Sequence, residues 1–122
     1  MDIGVDIVEI DRIKKTCQKS GGRFLKRVFT EQELEYCLRK VNPFPHLAAR
    51  FAAKEAVCKA LNLKKKGIFS WREIEVISQS SGKPTVQVSG LMDRVNRKNK
   101  VKQILVSLSH SKKYAVAQVV VC

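Results

Sequence analysis

The chain has 122 residues, 44% of them hydrophobic, which suits one domain, residues 1–122, with one modest core. Lysine and arginine number 24 against 11 aspartates and glutamates, a formal net charge of +13. Such a balance calls for an anionic partner: nucleic acid, an anionic membrane, a phosphorylated cofactor or an acidic protein. No apolar run approaches a bilayer span, and Met1-Asp2-Ile3-Gly4 lacks the basic flank and apolar region of a signal peptide, so a cytoplasmic protein is expected.

Four cysteines, Cys17, Cys37, Cys58 and Cys122, have no metal-ligand spacing, and the only histidines are His46 and His110. A zinc site is not expected, and the thiols read as reduced. Aromatics make up 7% of the residues and do not interleave with the basic clusters, which weakens a single-strand stacking platform.

Met1–Ile10 alternates as a strand, with Ile3, Val5 and Ile7 on one face and Asp2, Gly4 and Asp6 on the other. Val8 and Ile10 add apolar residues to the second face, so the far end is expected to be buried on both sides. Asp6 stands out of place in such a strand. A carboxylate in water on an edge strand and a functional carboxylate are both open readings. Asp11 is expected to cap a helix reaching about Ser20, stopped by Gly21-Gly22, with Arg12, Lys14, Lys15 and Lys19 outward. A short helical turn, Arg23–Val28, adds further bases, which by default form a solvated face.

Thr30-Glu31-Gln32-Glu33 reads as a capping box opening a helix to about Lys40. Asn42-Pro43-Phe44-Pro45 ends it. A second helix is expected from about His46 to Asn62, with His46 at its start in water. Six alanines, Ala48, Ala49, Ala52, Ala53, Ala56 and Ala60, favour the helix and remove bulk so that another backbone can approach. Arg50, Lys54, Glu55 and Lys59 stand among them, and the pairs Arg50/Lys54 and Glu55/Lys59 each share a face. By itself this is an ordinary helix with an i,i+4 ion pair.

Lys64-Lys65-Lys66-Gly67 reads as a basic loop. Strands are expected at Trp71–Ser78 and Thr85–Val88, joined by a turn at Ser80-Ser81-Gly82-Lys83-Pro84. Ser89 is expected to cap a helix containing Leu91, Met92 and Val95, followed by a basic stretch near Arg94–Lys102. Ile104–Ser109 and Tyr114–Cys122 alternate as strands joined by His110-Ser111-Lys112-Lys113. Segregated helices and strands argue α+β, an antiparallel sheet packed with helices.

Asp6 and Glu55 are the acids to test as a metal pair. A hard cation such as Mg²⁺ is commonly held by one or two carboxylates, with water and phosphate oxygens completing its shell. Lys59, one turn beyond Glu55, is placed to neutralise a phosphate or leaving oxygen. Such a set suits phosphoryl-type transfer. Neither GxxxxGK[ST] nor GxGxxG occurs.

Gly4-Val5-Asp6-Ile7-Val8-Glu9-Ile10 with Arg12-Ile13, and Arg50-Phe51-Ala52-Ala53-Lys54-Glu55-Ala56 with Lys59-Ala60, closely resemble the holo-acyl-carrier-protein synthase family, the short 4′-phosphopantetheinyl transferases. Trp71-Arg72-Glu73-Ile74-Glu75-Val76, Gly82-Lys83-Pro84, Val106-Ser107-Leu108-Ser109-His110-Ser111 and Ala115-Val116-Ala117 agree in the family's order. The resemblance implies a fold of that type. It also implies a Mg²⁺-dependent reaction serving fatty acid biosynthesis, moving the phosphopantetheine arm of coenzyme A onto a serine of apo acyl carrier protein and releasing adenosine 3′,5′-bisphosphate.

Carried over residue by residue, it makes Asp6 and Glu55 metal ligands. Glu55, directly or through water, is then a candidate acceptor of the serine proton, and Lys59 stabilises or protonates the departing phosphate. Arg50, Lys54, Gly82, Lys83, Pro84 and His110 would contact coenzyme A. Arg12, Arg23 and Arg27 would dock the acidic carrier protein. The family is usually a homotrimer with active sites between subunits.

Two other classes are weighed against this. A basic nucleic-acid-binding protein fits the charge, yet Asp6 and Glu55 would repel phosphate without a cation, and no recognition motif is evident. A membrane-surface protein would need a helix combining a strong apolar face with interfacial tryptophan, and the only tryptophan, Trp71, opens an expected strand.

Overall fold

The computed structural model describes residues 1–63 and 70–122, so the Lys64–Gly67 basic loop lies outside the described residues. Its centre is the alanine-rich helix. In chain order the elements are β1 (Asp2–Glu9), α1 (Ile10–Ser20), α2 (Arg23–Val28), α3 (Glu31–Leu38), α4 (Phe44–Ala60), β2 (Ile74–Ser78), β3 (Pro84–Val88), α5 (Gly90–Lys98), β4 (Ile104–His110) and β5 (Tyr114–Val121). The α+β class and antiparallel pairing agree with the expectation. The strands form two sheets, β1-β5-β4 and β2-β3, with β3 lying against β4.

Eleven of the 17 residues of α4 are buried. Ala52, Ala53, Ala56 and Val57 pack with Ile74, Val76, Ala117 and Val119. Toward its start, Leu47, Ala48 and Ala49 pack with Ile10, Ile13, Val28, Phe29 and Cys37. Alanine leaves no bulk between backbones, and Gly4 completes the fit on the strand side. A Cβ at Gly4 would stand 2.1 Å from the Ala56 carbonyl oxygen and 3.0 Å from the Ala60 nitrogen. Small residues on both partners thus press α4 onto β1.

That contact also decides which face of β1 is inside. Gly4 is buried while Ile3, Val5 and Ile7 are 70%, 57% and 63% exposed. The expectation that the far end is buried on both sides is corrected: β1 is an edge strand, and only its Gly4–Asp6–Val8 face meets α4. The outward apolar residues continue across the sheet. Ile3 pairs with Val120, which pairs with exposed Leu105, and Ile7 pairs with Val116.

Local chemistry accounts for most boundaries. The Thr30 hydroxyl accepts from Glu33 N–H at 3.2 Å, and the Glu33 carboxylate accepts from Thr30 N–H at 2.9 Å, forming the expected capping box. Gly21, at φ 59°, closes α1 in the left-handed conformation. Asp11 does not cap α1: Glu9 occupies the N-cap, and Asp11 sits in the first turn, 2.9 Å from Lys15. Helix α4 starts at Phe44, two residues before the expected His46, because proline suits the first turn, where its missing N–H has no partner to lose. Trp71–Glu73 is a 3-10 turn rather than the first part of the expected strand, held by a Ser70–Glu73 capping box.

Candidate active site

Asp6 reaches the site from the α4-facing side of β1, and Glu55 projects from α4. Both line one cleft of about 490 Å³, with Glu9, Arg12, Phe24 and Phe51 among its other walls. Lys59, one turn beyond Glu55, donates to Asp6 Oδ1 at 2.7 Å and to the Val5 carbonyl at 3.1 Å. The Asp6 side chain is 15% exposed and that of Lys59 41%, so this ion pair is open to solvent and to an incoming group. A pair so exposed contributes no more than about 1 kcal/mol, and Lys59 can turn to a competing anion at small cost.

The acids that line this cleft, Asp6, Glu9 and Glu55, offer hard oxygen donors. Among the described residues no three His, Cys, Asp or Glu side chains form a complete metal cage. Two carboxylates beside an open cleft fit a cation that keeps water and substrate oxygens in its shell, as Mg²⁺ does.

Of the three arginines expected to dock a carrier protein, one stands at this cleft. Arg12 lines the cleft. Arg23 and Arg27 are exposed on α2, the helix that contributes Phe24 to the wall. Arg23 Nε donates to the Ser20 carbonyl at 3.3 Å, which tethers it to the end of α1.

A second cleft, about 160 Å³, gathers Arg50, Gly82, Pro84 and His110 with His46 and Ser78. Arg50 is only 3% exposed. Its Nη2 donates to Ser78 Oγ at 2.7 Å, and its guanidinium carbon lies 4.2 Å from the Tyr36 ring centroid. Gly82, at φ 87°, makes the β2–β3 turn that carries Pro84 to the cleft, and Gly82 N–H donates to the Gln79 carbonyl at 2.8 Å. Lys83 stands exposed on that turn and does not line the cleft. His110 ends β4, and Ser111 closes the following hairpin by accepting from Tyr114 N–H at 3.2 Å.

Lys54 corrects the expectation of a coenzyme A contact. Its ammonium group is fully buried and donates to Glu33 Oε1 at 2.7 Å, to the Trp71 carbonyl at 3.1 Å and to the Ile74 carbonyl. All three of its donors are thereby engaged. Glu33 Oε2 accepts in turn from Val76 N–H at 2.8 Å. Desolvation holds the Lys54 ammonium below its ordinary pKa, opposed by the Glu33 charge. Lys54 therefore ties α3, α4 and β2 together and faces neither cleft.

Two other groups near these elements are shifted. The Cys37 thiol is pushed up to about 11 by desolvation. Tyr36 is held below its ordinary pKa, chiefly by its hydrogen bond with Ser78 and further by Lys40 and Arg50.

The sequence pattern of the 4′-phosphopantetheinyl transferase superfamily matches residues 2–119. The chain belongs to the 4′-phosphopantetheinyl transferase superfamily. It is 50% identical over 119 residues to the holo-[acyl-carrier-protein] synthase of Thermodesulfovibrio yellowstonii, spanning 98% of this chain and 96% of that one. It is 48% identical over 115 residues to that of Chlamydia trachomatis, spanning 94% and 93%. Among solved structures, the Neisseria meningitidis holo-[acyl-carrier-protein] synthase superposes with a TM-score of 0.87 at 32% identity, covering 98% of this chain and 96% of that one. The Helicobacter pylori enzyme, solved in complex with coenzyme A, gives 0.84 at 31% identity, covering 98% and 99%.

In this transferase the two acids sit 49 positions apart in sequence and on one cleft in space. Tyr36, His46 and Ser78 were not singled out as site residues by sequence. His46 was expected in water, yet it is half-buried, with its ring centroid 5.5 Å from that of His110 and 6.1 Å from that of Tyr36. Only its position one turn before Arg50 on α4 hinted at a shared cleft.

Proposed function

We propose that this transferase moves the 4′-phosphopantetheine arm of coenzyme A to a serine hydroxyl of apo acyl carrier protein and releases adenosine 3′,5′-bisphosphate. Residues 1–122 act as one transferase domain. The observation that carries the reading is the pairing of Asp6 on β1 with Glu55 on α4 along one cleft, with Lys59 bonded to Asp6. Asp6 and Glu55 would hold Mg²⁺. Bound there, it would supply positive charge against the pyrophosphate and the charge that develops as the phosphoanhydride breaks.

Glu55 faces the cleft as the candidate acceptor of the serine proton. Lys59 turns from Asp6 to the departing phosphate, where its ammonium offsets charge or supplies a proton. Phe24 and Phe51 wall the cleft and limit water near the reacting groups. Arg50 and His110 hold coenzyme A phosphate beside the Gly82–Pro84 turn. Arg12, Arg23 and Arg27 orient the acidic carrier protein.

We further infer a homotrimer whose active sites lie between subunits. Two features support it. The outward sheet face carries Ile3, Val5, Ile7 and Leu105 exposed, an apolar surface of the kind that assembly covers. The two clefts also open from different sides of α4: Arg50 and Glu55, five residues apart, are about 140° apart around the helix. A neighbouring copy can bring one chain's Arg50 cleft to another's Glu55 cleft. A cytoplasmic enzyme agrees with four free cysteines.

Incubation with coenzyme A, Mg²⁺ and a competent apo acyl carrier protein, read by intact mass, tests the reaction. The expected result is a gain of one phosphopantetheine arm on the carrier. No mass gain with folded enzyme overturns it.

A further inference from the structure

We propose that His46 joins Arg50 and His110 in a phosphate-monoester site, and that His46 takes up a proton when the phosphate enters. This rests on the reading of coenzyme A as co-substrate, whose ribose carries such a phosphate. The cleft is built for an anion. No carboxylate is among the residues that line it. Arg50 is buried, and among the described residues its Nε has no hydrogen-bond partner. A buried guanidinium without a facing carboxylate is stabilised by an anionic acceptor.

His46 projects from the first turns of α4 and His110 from the end of β4, with their rings edge to face at 68°. The charged groups acting on His46 are Lys40, after α3, Arg50 on its own helix and His110 at the end of β4, with the Tyr36 ring of α3 6.1 Å away; from α1, Lys14 lies over the Phe44 ring at the start of α4. The β2–β3 hairpin offers only Ser78, Gly82 and Pro84 to the cleft. Every neighbour here that carries charge is cationic or can become so, apart from the Tyr36 hydroxyl.

Burial first, and then His110, Lys40 and Arg50, hold the His46 imidazole below its ordinary 6.5. It is therefore neutral in the free protein at neutral pH. A phosphate dianion reverses that field and adds an acceptor, so the bound imidazole has the higher pKa. The proton comes from solvent and no covalent bond changes. The sign follows: affinity is greatest below the free pKa and falls as pH rises through the bound pKa. One linked proton changes affinity by at most about tenfold per pH unit.

Calorimetric titration with coenzyme A, in two buffers of different ionisation enthalpy, reads the proton directly. At about pH 7.5, where the phosphate is already dianionic, the natural chain is expected to take up a fraction of a proton, up to about one, per coenzyme A bound. His46→Phe keeps an aromatic ring beside Tyr36 and is expected to lose that uptake, bind several-fold more weakly and show a flatter pH dependence. His46→Gln, a second variant that does not depend on the ring, is expected to behave alike. With 3′-dephospho-coenzyme A the natural chain should show no His46-dependent uptake. Equal proton uptake in the natural chain and both variants overturns the His46 assignment and leaves the coenzyme A reading standing. Failure of the folded natural chain to bind coenzyme A overturns that reading and the assignment together.

Discussion

Lys59 Nζ lies 2.7 Å from Asp6 Oδ1, joining residues 53 positions apart in sequence. The bond spans the junction of β1 and α4, where Gly4 and the alanines bring the two backbones together. One small-residue contact therefore places Asp6 and Glu55 on a single cleft, with Lys59 bonded to Asp6.

Asp6→Asn and Glu55→Gln are each expected to lower Mg²⁺-dependent turnover by about a hundredfold or more, within the range for removing a preorganised charge. Lys59→Met is expected to lower kcat while leaving Mg²⁺ affinity equal or tighter, because Asp6 no longer has a competing ammonium. Initial rates across a Mg²⁺ series separate these outcomes. Full activity in either acid variant removes that residue from the proposed metal pair.

Gly4→Val places carbon where the Ala56 carbonyl oxygen stands, and the backbone must separate. A loss of about 1–3 kcal/mol or more is expected, as for overpacking against unyielding backbone. Urea denaturation measures it, and an unchanged midpoint contradicts the close contact.

Lys54→Met leaves the Glu33 carboxylate buried without its cation, an arrangement that costs about 3–5 kcal/mol. The coenzyme A KM of the folded fraction is expected to stay within about twofold of the natural enzyme, since no coenzyme A contact is lost. A raised KM with unchanged stability would return Lys54 to the phosphate site.

His46 also makes stability depend on pH. Its imidazole pKa is lower in the folded chain than its ordinary 6.5, so between those values the unfolded chain binds more protons. Stability is therefore expected to fall as pH drops below about 6.5 and to level off beneath the folded pKa. His46→Phe should reduce this slope in thermal melts from about pH 7.5 to about pH 5.5.

Arg23→Glu and Arg27→Glu reverse charge on exposed positions of α2. Both are expected to raise the KM for apo carrier protein several-fold, with a much smaller effect on kcat. In the natural enzyme, coupling should weaken from low to moderate salt. A rate independent of ionic strength contradicts charge-guided docking. Val5→Lys on the outward sheet face is expected to shift the proposed trimer toward smaller species in sedimentation.

Much of the fold was legible because its signals are local. The Thr30–Glu33 capping box, the Gly21 stop, the alanine-rich helix and the alternation of Ile104–Ser109 and Tyr114–Cys122 each follow from a few neighbouring residues. Local pattern misleads where long-range packing decides. Alternation put Ile3, Val5 and Ile7 on one face of β1, but it could not say that Gly4 and Asp6 share the buried side. That choice belongs to α4, which needs a surface without side chains. Lys54 looked like a phosphate ligand among bases. Only the arrival of Glu33 from α3 and two carbonyls near β2 made it a buried tie.

The amino-acid sequence alone determined the α+β class, the family resemblance and the two acids to test, because these rest on periodicity and on motifs within short windows. Tertiary structure decided which charged residues face a cleft. Asp6 bonds to Lys59 and shares a cleft with Glu55 because small residues let β1 and α4 touch. Arg50 and Lys54, four apart on one helix, are separated in role because Lys54 meets acceptors in the core and Arg50 meets Ser78 and Tyr36 at a cleft. Spacing along a helix fixes direction; the burial, charge and hydrogen-bond partners found in that direction come from other parts of the chain.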